Sequence, residues 1–304
     1  MKKFLIPFAL FTQILFSSST FKEKINVVTT LEDFASITRE IGRDRVEVSA
    51  IAKGYQNPHY LEGKPSYMKK LNRADLLIYN GLQLEIGWLP LIVQGARNPK
   101  IVYGAKGNLD CSRGIRILEV PQGEVDRSMG DVHPEGNPHY TLDPRNGIII
   151  ANRIFEKLCE LSPDDEEYFK NNLDGFLHRL RKKIEEWERR MEPYCGTKVV
   201  TYHKQWEYLA EWLRFKIVGQ IEDKPGIPPS PRHLSWLISF IKDEKIPLII
   251  AANFDDIGTA RKVAQKTGAT LLVLPAFVGG EEGIETYLDL FETIISKIEK
   301  ELKK

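Results

Sequence analysis

The sequence predicts an α/β protein of two lobes, each with a mainly parallel sheet flanked by helices, joined by one long rigid helix. Short apolar segments rich in β-branched residues alternate with helical segments in two separate series. Such alternation implies parallel strands connected by helical crossovers. The chain has 304 residues, which exceeds the usual size of one domain, so two compact lobes are expected.

The first series of strands and helices begins at Ile25, and the second begins after Gly196. In the first series INVVTT, VEVSAIA and DLLIYNG read as strands, with helical segments between them. In the second series KVVTYH, FKIVGQI, PLIIAAN and TLLVLPA read as strands. We therefore expect an N-terminal lobe over residues 24–160 and a C-terminal lobe over residues 196–304.

The segment between the lobes, residues 162–194, predicts one connecting helix. Ser162 stands at a cap position and Pro163 at the first helical position, and three acidic residues follow, which is typical of a helix start. Apolar residues then recur every three or four positions, as expected for one buried helix face: Phe169, Leu173, Phe176, Leu180, Ile184, Trp187 and Met191. Such a helix spans roughly 50 Å. A coiled coil between copies is the alternative, but the aromatic side chains favour packing against the two lobes.

Residues 1–20 have the layout of a secretory signal peptide. Lys2 and Lys3 precede an uncharged, apolar-rich run from Phe4 to Phe16, and small residues follow. As a helix this run spans roughly 20 Å, less than the ~30 Å of a bilayer core, so a permanent anchor is disfavoured. No cysteine follows that would carry the lipid of a bacterial lipoprotein. We expect export to the periplasm as a free protein.

Composition and charge argue against binding to nucleic acid or to an acidic membrane. Apolar residues make up 42% and charged residues 28% of the chain, as in ordinary soluble proteins. The 43 Lys and Arg nearly balance the 42 Asp and Glu, so no global field attracts a polyanion. Cys111, Cys159 and Cys195 lack a CxxC spacing, so we expect buried, inert thiols and no disulfide framework, with one disulfide left open.

Three of the six histidines, His59, His139 and His203, stand where ligands are expected. His59 and His139 each follow Asn-Pro in a loop that the proline stiffens. His203 ends a strand, and ligands of open α/β sheets gather at such ends. Three neutral imidazoles in one cleft suit Zn²⁺, at ~2.0 to 2.1 Å, better than Mg²⁺ or Ca²⁺. Taken singly, each equally suits a hydrogen-bonded loop residue, and His178 and His233 read as surface residues.

Four stretches of the chain, in this order, resemble motifs of one family: NPHYLEGKPSYMKKL, GDVHPEGNPHYTLDP, TYHKQWEYLAEW and KPGIPPSPRHLSWLI. They are similar to motifs of the zinc/manganese-type (cluster A-I) solute-binding proteins of metal ABC transporters. The resemblance implies a class III fold with a helical backbone and a metal ion in the cleft, held by His59, His139 and His203. It implies capture of zinc, with manganese or iron as alternatives, and delivery to an ABC permease and its ATPase subunit by a monomer without catalytic residues.

The sequence departs from the family pattern where the last strand ends. Members commonly carry an aspartate ligand there, and this chain has Pro275 instead. The fourth ligand is therefore open among water, Glu222 and Glu281.

The loop before GNPHY also departs from the pattern, because zinc-specific members often have a His-rich insertion and this loop carries only His133. We expect His133 to be a solvated loop residue, with a role as an auxiliary ligand as the alternative. Glu135 and Asp143 are candidates for orienting an imidazole, which coordinating histidines usually require.

Two other functions use the same residues. A zinc-dependent hydrolase also combines three histidines with an open position that activates water. The sequence has no HExxH and no general base with a recognisable partner, so we expect a transport protein and not an enzyme. A metal-binding adhesin or metal buffer on the same fold would share the site; adjacent genes for a permease and an ATPase would favour import.

Overall fold

The computed structural model describes residues 23–304, so the predicted signal peptide over residues 1–20 lies outside the described residues. The first lobe contains β1 (Ile25–Thr29), α1 (Glu32–Gly42), β2 (Val46–Ala50), α2 (Pro65–Asn72), β3 (Leu76–Tyr79), α3 (Leu89–Ala96), β4 (Asn108–Asp110) and α4 (Pro144–Leu161). Within residues 23–304, no helix combines the length and the apolar character needed to cross a bilayer.

A long helix leads into the second lobe. It is α5 (Glu166–Met191), and it is followed by β5 (Lys198–Thr201), α6 (Glu207–Leu213), β6 (Lys216–Gln220), α7 (Pro231–Asp243), β7 (Leu248–Ala252), α8 (Ile257–Thr267), β8 (Thr270–Leu274) and α9 (Tyr287–Leu302).

Each lobe is built on a four-stranded sheet whose neighbouring strands are all parallel. The strand orders are β2-β1-β3-β4 and β6-β5-β7-β8, so the two lobes share one topology. In both, the connections run to opposite sides of the first strand, and the crevice at such a switch point is where α/β proteins bind ligands. The predicted fold class of two parallel α/β lobes and one long helix is confirmed.

The connecting helix is shorter than predicted, because both of its ends pass into 3-10 turns. α5 has 26 residues, or about 39 Å, and Pro163–Asp165 and Glu192–Tyr194 form the turns. Ser162 does not cap the helix with its side chain; its hydroxyl donates to the Asp165 carboxylate over 2.6 Å. The seven apolar residues of the predicted stripe are all buried.

The last helix, α9, ties the two lobes together. Its first residue, Tyr287, is fully buried, and its hydroxyl donates to the Thr141 carbonyl over 2.7 Å while its amide donates to the Ser36 hydroxyl over 3.0 Å. Further along α9, Phe291 packs on Trp187 of α5 with ring centroids 5.7 Å apart. Because α9 also contacts α1, the C-terminal helix belongs to the packing of both lobes, and the lobe limits drawn from the sequence stay a prediction.

A buried carboxyl group fixes the loop after β8 against α1. Asp33 is fully buried, and its Oδ1 accepts from the Val278 amide over 2.8 Å. A Cβ at Gly54 would lie 2.0 Å from the Val278 carbonyl oxygen, so the loop after β2 also touches this loop. Burial raises the pKa of Asp33 to about 7, although the Val278 amide partly opposes the shift.

The three cysteines are free thiols in different environments. Cys111 is buried, Cys159 is half-buried and Cys195 is exposed. The expectation that all three are buried is therefore wrong for Cys195, which follows the last turn of the connecting helix and faces solvent.

We predict that Asp33→Asn stabilises the protein at neutral and alkaline pH. The folded-state pKa of Asp33 lies above the ordinary 3.8, so the folded state binds the proton more tightly, and the free energy of unfolding falls as the pH rises from about 4 to about 7. The asparagine keeps the acceptor for Val278 without the charge, and we expect a gain of about 1 to 3 kcal/mol above pH 7 that vanishes near pH 4. Urea unfolding at pH 4, 6 and 8 measures this.

Asp174→Asn is the matched control, because Asp174 is an exposed carboxylate paired with Lys170 on α5. It should change the free energy of unfolding little at any pH. A gain for Asp33→Asn that did not depend on pH would contradict the burial argument.

Candidate metal centre

The two Asn-Pro-His sequences form the same local structure. The Asn57 side-chain oxygen accepts from the His59 amide over 3.0 Å, and the Asn137 side-chain oxygen accepts from the His139 amide over 3.0 Å. Such a bond from an Asn to a backbone amide two residues on forms a tight turn, and the intervening proline limits the backbone further. The repeated tripeptide therefore presents each imidazole from a short, constrained turn.

Buried side chains hold the carbonyl groups of these turns. The Trp88 indole N–H donates to the Pro58 carbonyl over 2.7 Å, and the Asn80 amide donates to the Pro138 carbonyl over 2.9 Å. The Tyr208 hydroxyl of α6 donates to the carbonyl of Asn137 over 3.0 Å. The turn that carries His139 is thus braced from both lobes.

His203 lies in the turn after β5, separated from the strand by Tyr202, and a carboxylate from the next strand end orients its ring. Glu222 lies just beyond β6, and its Oε2 accepts from His203 Nδ1 over 2.7 Å and from the Gly226 amide over 2.8 Å. In the neutral ring this contact holds the proton on Nδ1 and leaves Nε2 as the acceptor.

The structure brings His59, His139 and His203 together between the lobes. One side-chain nitrogen from each lies within 4.8 Å of the others, and the ring centroids are 5.2 to 5.7 Å apart. The Nε2 atoms of His59 and His139 are 3.3 Å apart. Two nitrogens bound at ~2.05 Å to a tetrahedral ion are ~3.3 Å apart, so this spacing suits a shared cation.

The pKa values of the clustered histidines shift in opposite directions in the two lobes. Burial, together with the neighbouring imidazoles, holds the pKa of His59 and of His139 well below the ordinary value. Burial also acts to lower the pKa of His203, but the hydrogen bond and charge of Glu222 outweigh it and raise that pKa. Two rings are therefore neutral at pH 7 with a free lone pair, as metal ligands must be.

The carboxylates singled out in the sequence have other partners. Glu222 contacts the far side of His203, and Glu281 pairs with Lys297 at 2.5 and 2.6 Å. Asp143 accepts from the Arg145 amide at the start of α4 and pairs with its guanidinium, and Glu135 accepts from Gln83. The expectation that Glu135 or Asp143 orients an imidazole is wrong: the carboxylate that does so is Glu222.

Two further residues lie near the cluster: His133, for which the sequence favours a solvated loop position over an auxiliary ligand, and Asp255, which was not among the residues singled out from the sequence. His133 is half-buried with its ring centroid 5.1 Å from that of His59, so it is not a solvated loop residue, and burial lowers its pKa to about 4. Asp255 follows β7, accepts from the Ala252 amide over 2.7 Å and helps to raise the pKa of His203. The position of Asp255 at a strand end beside β5 is a usable signal in the sequence, whereas for His133 the loop before GNPHY indicates no more than an auxiliary ligand as the alternative to a solvated residue.

Two parallel α/β lobes joined by one long helix, with clustered imidazoles in the cleft, define the class of metal-binding, two-lobed solute-binding proteins. The manganese ABC transporter substrate-binding lipoprotein PsaA of Streptococcus pneumoniae is 26% identical over 322 residues, which cover 100% of both chains. A crystal structure of ZnuA superposes with a TM-score of 0.76 at 23% identity, over 91% of this chain and 99% of that one.

A Mn-bound periplasmic metal-binding protein from Candidatus Liberibacter asiaticus superposes with a TM-score of 0.75 at 24% identity, over 92% of this chain and 100% of that one. The model of the family ZnuA, described as zinc-uptake complex component A, periplasmic, matches residues 27–301. The chain belongs to this family, which consists of substrate-binding components of metal ABC importers and not of enzymes.

We predict that Glu222→Gln lowers the pKa of His203 in the metal-free protein. Without the negative charge, burial becomes the dominant influence and disfavours the imidazolium form. An NMR titration of the histidine side chains should therefore show His203 titrating at lower pH. Glu281→Gln is the matched control, because Glu281 pairs with Lys297, and it should leave His203 unchanged. An unaltered His203 titration in Glu222→Gln would rule out the orienting contact.

Proposed function

We propose that the chain captures a transition-metal cation on His59, His139 and His203 in the cleft between its lobes. The observation that carries this proposal is the convergence of three imidazole nitrogens within 4.8 Å, from loops that are distant in the sequence. Two come from the first lobe and one from the second, so the cation would bridge the lobes. Burial keeps two of the rings neutral and ready to donate a lone pair.

Zinc is the cation that this donor set favours. The cluster offers imidazole nitrogens, and no carboxylate belongs to it among the described residues. Imidazole suits zinc, copper, iron and nickel, whereas manganese prefers oxygen ligands. PsaA of Streptococcus pneumoniae is named for manganese, and its resemblance to this chain keeps manganese as an alternative. Iron is a further alternative because imidazole also suits it.

The protein would act in the periplasm as the capture component of an importer. The open cleft would take up the ion, a small rotation of the second lobe would bring His203 against His59 and His139, and an ABC permease with its ATPase would then receive the cargo. The extensive contacts of α9 with both lobes favour a small motion over a wide one. We propose that this component works as a monomer.

We further propose that the chain binds the ion without catalysis. A zinc hydrolase needs a general base beside the metal-bound water. Glu222, the carboxylate in contact with the cluster, is engaged with His203 and the Gly226 amide. The engagement of Glu222 favours a role as an orienting group. A metal-binding adhesin on the same fold would share the site, and adjacent permease and ATPase genes would favour import.

We predict that His139→Ala weakens zinc binding by more than about 100-fold. Loss of a group that only hydrogen-bonds to a metal ligand already lowers metal affinity by about 10- to 100-fold, and loss of a ligand itself should cost more. Isothermal titration calorimetry of the metal-free protein with zinc measures the change. His178→Ala is the matched control, since His178 is exposed on the outer face of α5, and it should bind zinc like the wild type. An unchanged affinity in His139→Ala would refute the assignment of the site.

We predict that zinc binds at least about 100-fold more tightly than manganese at pH 7.5, because manganese is at the weak end of the Irving–Williams order and prefers oxygen ligands to imidazole. Competition between the two ions, followed by metal analysis of the separated protein, measures the ratio. Equal occupancy at equal concentrations would count against zinc as the preferred cargo while leaving metal capture intact.

A further inference from the structure

A segment of the first lobe, residues 128–136, closes over the metal centre and contacts the second lobe; we call it the clasp. The Asp131 amide donates to the Pro225 carbonyl over 2.7 Å, and the Lys224 amino group donates to the Ser128 carbonyl over 2.7 Å. Asp131 also accepts from the Tyr60 hydroxyl, next to His59. The clasp is therefore attached on both sides of the cleft.

The clasp carries His133 into the histidine cluster with one ring nitrogen unpaired. The ring lies against His59, and its Nε2 is buried without a hydrogen-bond partner among the described residues. A buried polar atom without a partner is costly in a folded protein and calls for a specific explanation, such as an ion. A free lone pair beside three other imidazoles is what a fourth nitrogen donor requires.

Three candidate carboxylates, Glu222, Glu281 and Asp255, have partners of their own. Glu222 accepts from His203 and Gly226, and Glu281 pairs with Lys297 away from the imidazoles. Asp255 uses Oδ2 to accept from the Ala252 amide. Pro275, at the position where the family pattern has an aspartate, offers no side-chain donor. Zinc held by protein side chains alone is almost always four-coordinate, and the three histidines leave one position to fill.

We propose that His133 is the fourth nitrogen donor of the site, giving an all-imidazole set for zinc that is completed by the clasp. The inference rests on the proposed function, since it adds a ligand to the same centre. His133 lies outside the group of nitrogens within 4.8 Å, so its ring must move inward when the ion binds. Gly130 and Gly136 lie on either side of His133 within the clasp with φ of 77° and 104°, which only glycine adopts readily, so the backbone of the clasp can change conformation there without a side-chain penalty.

This arrangement couples the last ligand to the closed state of the cleft. The second-lobe segment that receives the clasp, residues 222–227, includes Glu222, which orients His203. Separation of the lobes would therefore move His133 away from the ion and, in the same motion, weaken the contact by which Glu222 orients His203. An ion held by four nitrogens would lose two of them at the moment of transfer.

Nitrogen-15 NMR of the histidine side chains in the wild-type protein, produced without the predicted signal peptide, tests the proposal directly. Zinc is added to the metal-free protein at pH 7.5, and the His133 resonance is assigned by its loss in His133→Ala. We expect four imidazoles, including His133, to shift to metal-bound positions. Three shifted imidazoles with His133 unchanged would overturn the proposal, and would indicate water or Asp255 in the fourth position.

Calorimetry with zinc gives a second readout. His133→Ala should bind zinc about 10- to 100-fold more weakly, with a smaller loss for manganese, while the exposed His178→Ala control binds both ions like the wild type. If His139→Ala abolishes binding and His133→Ala retains full affinity, the proposed function stands and the fourth donor is refuted. If His139→Ala itself binds normally, the proposed function fails first. Should His133→Ala not fold, the number of imidazoles that shift in the wild-type spectrum decides alone: four support the proposal and three overturn it.

Discussion

The proposed metal centre depends on one constraint, which is the placement of the two sheets relative to each other. Two histidines come from the first lobe and one from the second, and their nitrogens must meet within ångströms. The packing of α9 against α5 and α1 supplies this placement, through the hydrogen bonds of buried Tyr287 to Ser36 and Thr141 and through the contact of Phe291 with Trp187. Because close-packed interiors transmit small displacements, a change far from the cleft can alter the spacing of the imidazoles.

The two lobes control the orientation and the protonation of their histidines by different interactions. In the first lobe an Asn side chain and a proline make a tight turn at both His59 and His139, and burial keeps the rings neutral. In the second lobe a carboxylate, Glu222, holds the far nitrogen of His203 and raises its pKa. Carboxylate–histidine pairs of this kind fix the ring orientation and strengthen the ligand. The first lobe thus presents preformed neutral donors, while the second contributes the donor whose protonation responds to pH.

Much of the architecture follows from local pattern, and the remainder follows from tertiary contacts that a single sequence does not display. The apolar strand segments and the stripe along α5 predict both sheets and the connecting helix, because an element that buries one face has apolar residues at regular spacing in the sequence. Strand β4 (Asn108–Asp110) has no such apolar spacing, since Asn-Leu-Asp becomes a strand only by pairing with β3. Ser162 stands at a position suited to capping a helix, but its hydroxyl donates to Asp165. Asp143 stands near His139, where it could orient the imidazole, but it pairs with Arg145.

The site shows the same division between local and tertiary information. The repeated Asn-Pro-His marks two histidines, because the turn chemistry is local, and the strand end marks the third. The proximity of His133 to His59 depends on a loop closing across the cleft, which residue spacing does not specify. Three neutral imidazoles this close together turn lone pairs toward one another, and at most one shared proton bridges the 3.3 Å between His59 and His139. A cation that accepts those lone pairs removes the repulsion and stabilises the closed lobes by its own binding free energy. Under the proposed function, capture and closure are then a single equilibrium, because the proposed ligands are complete only when the lobes and the clasp are together.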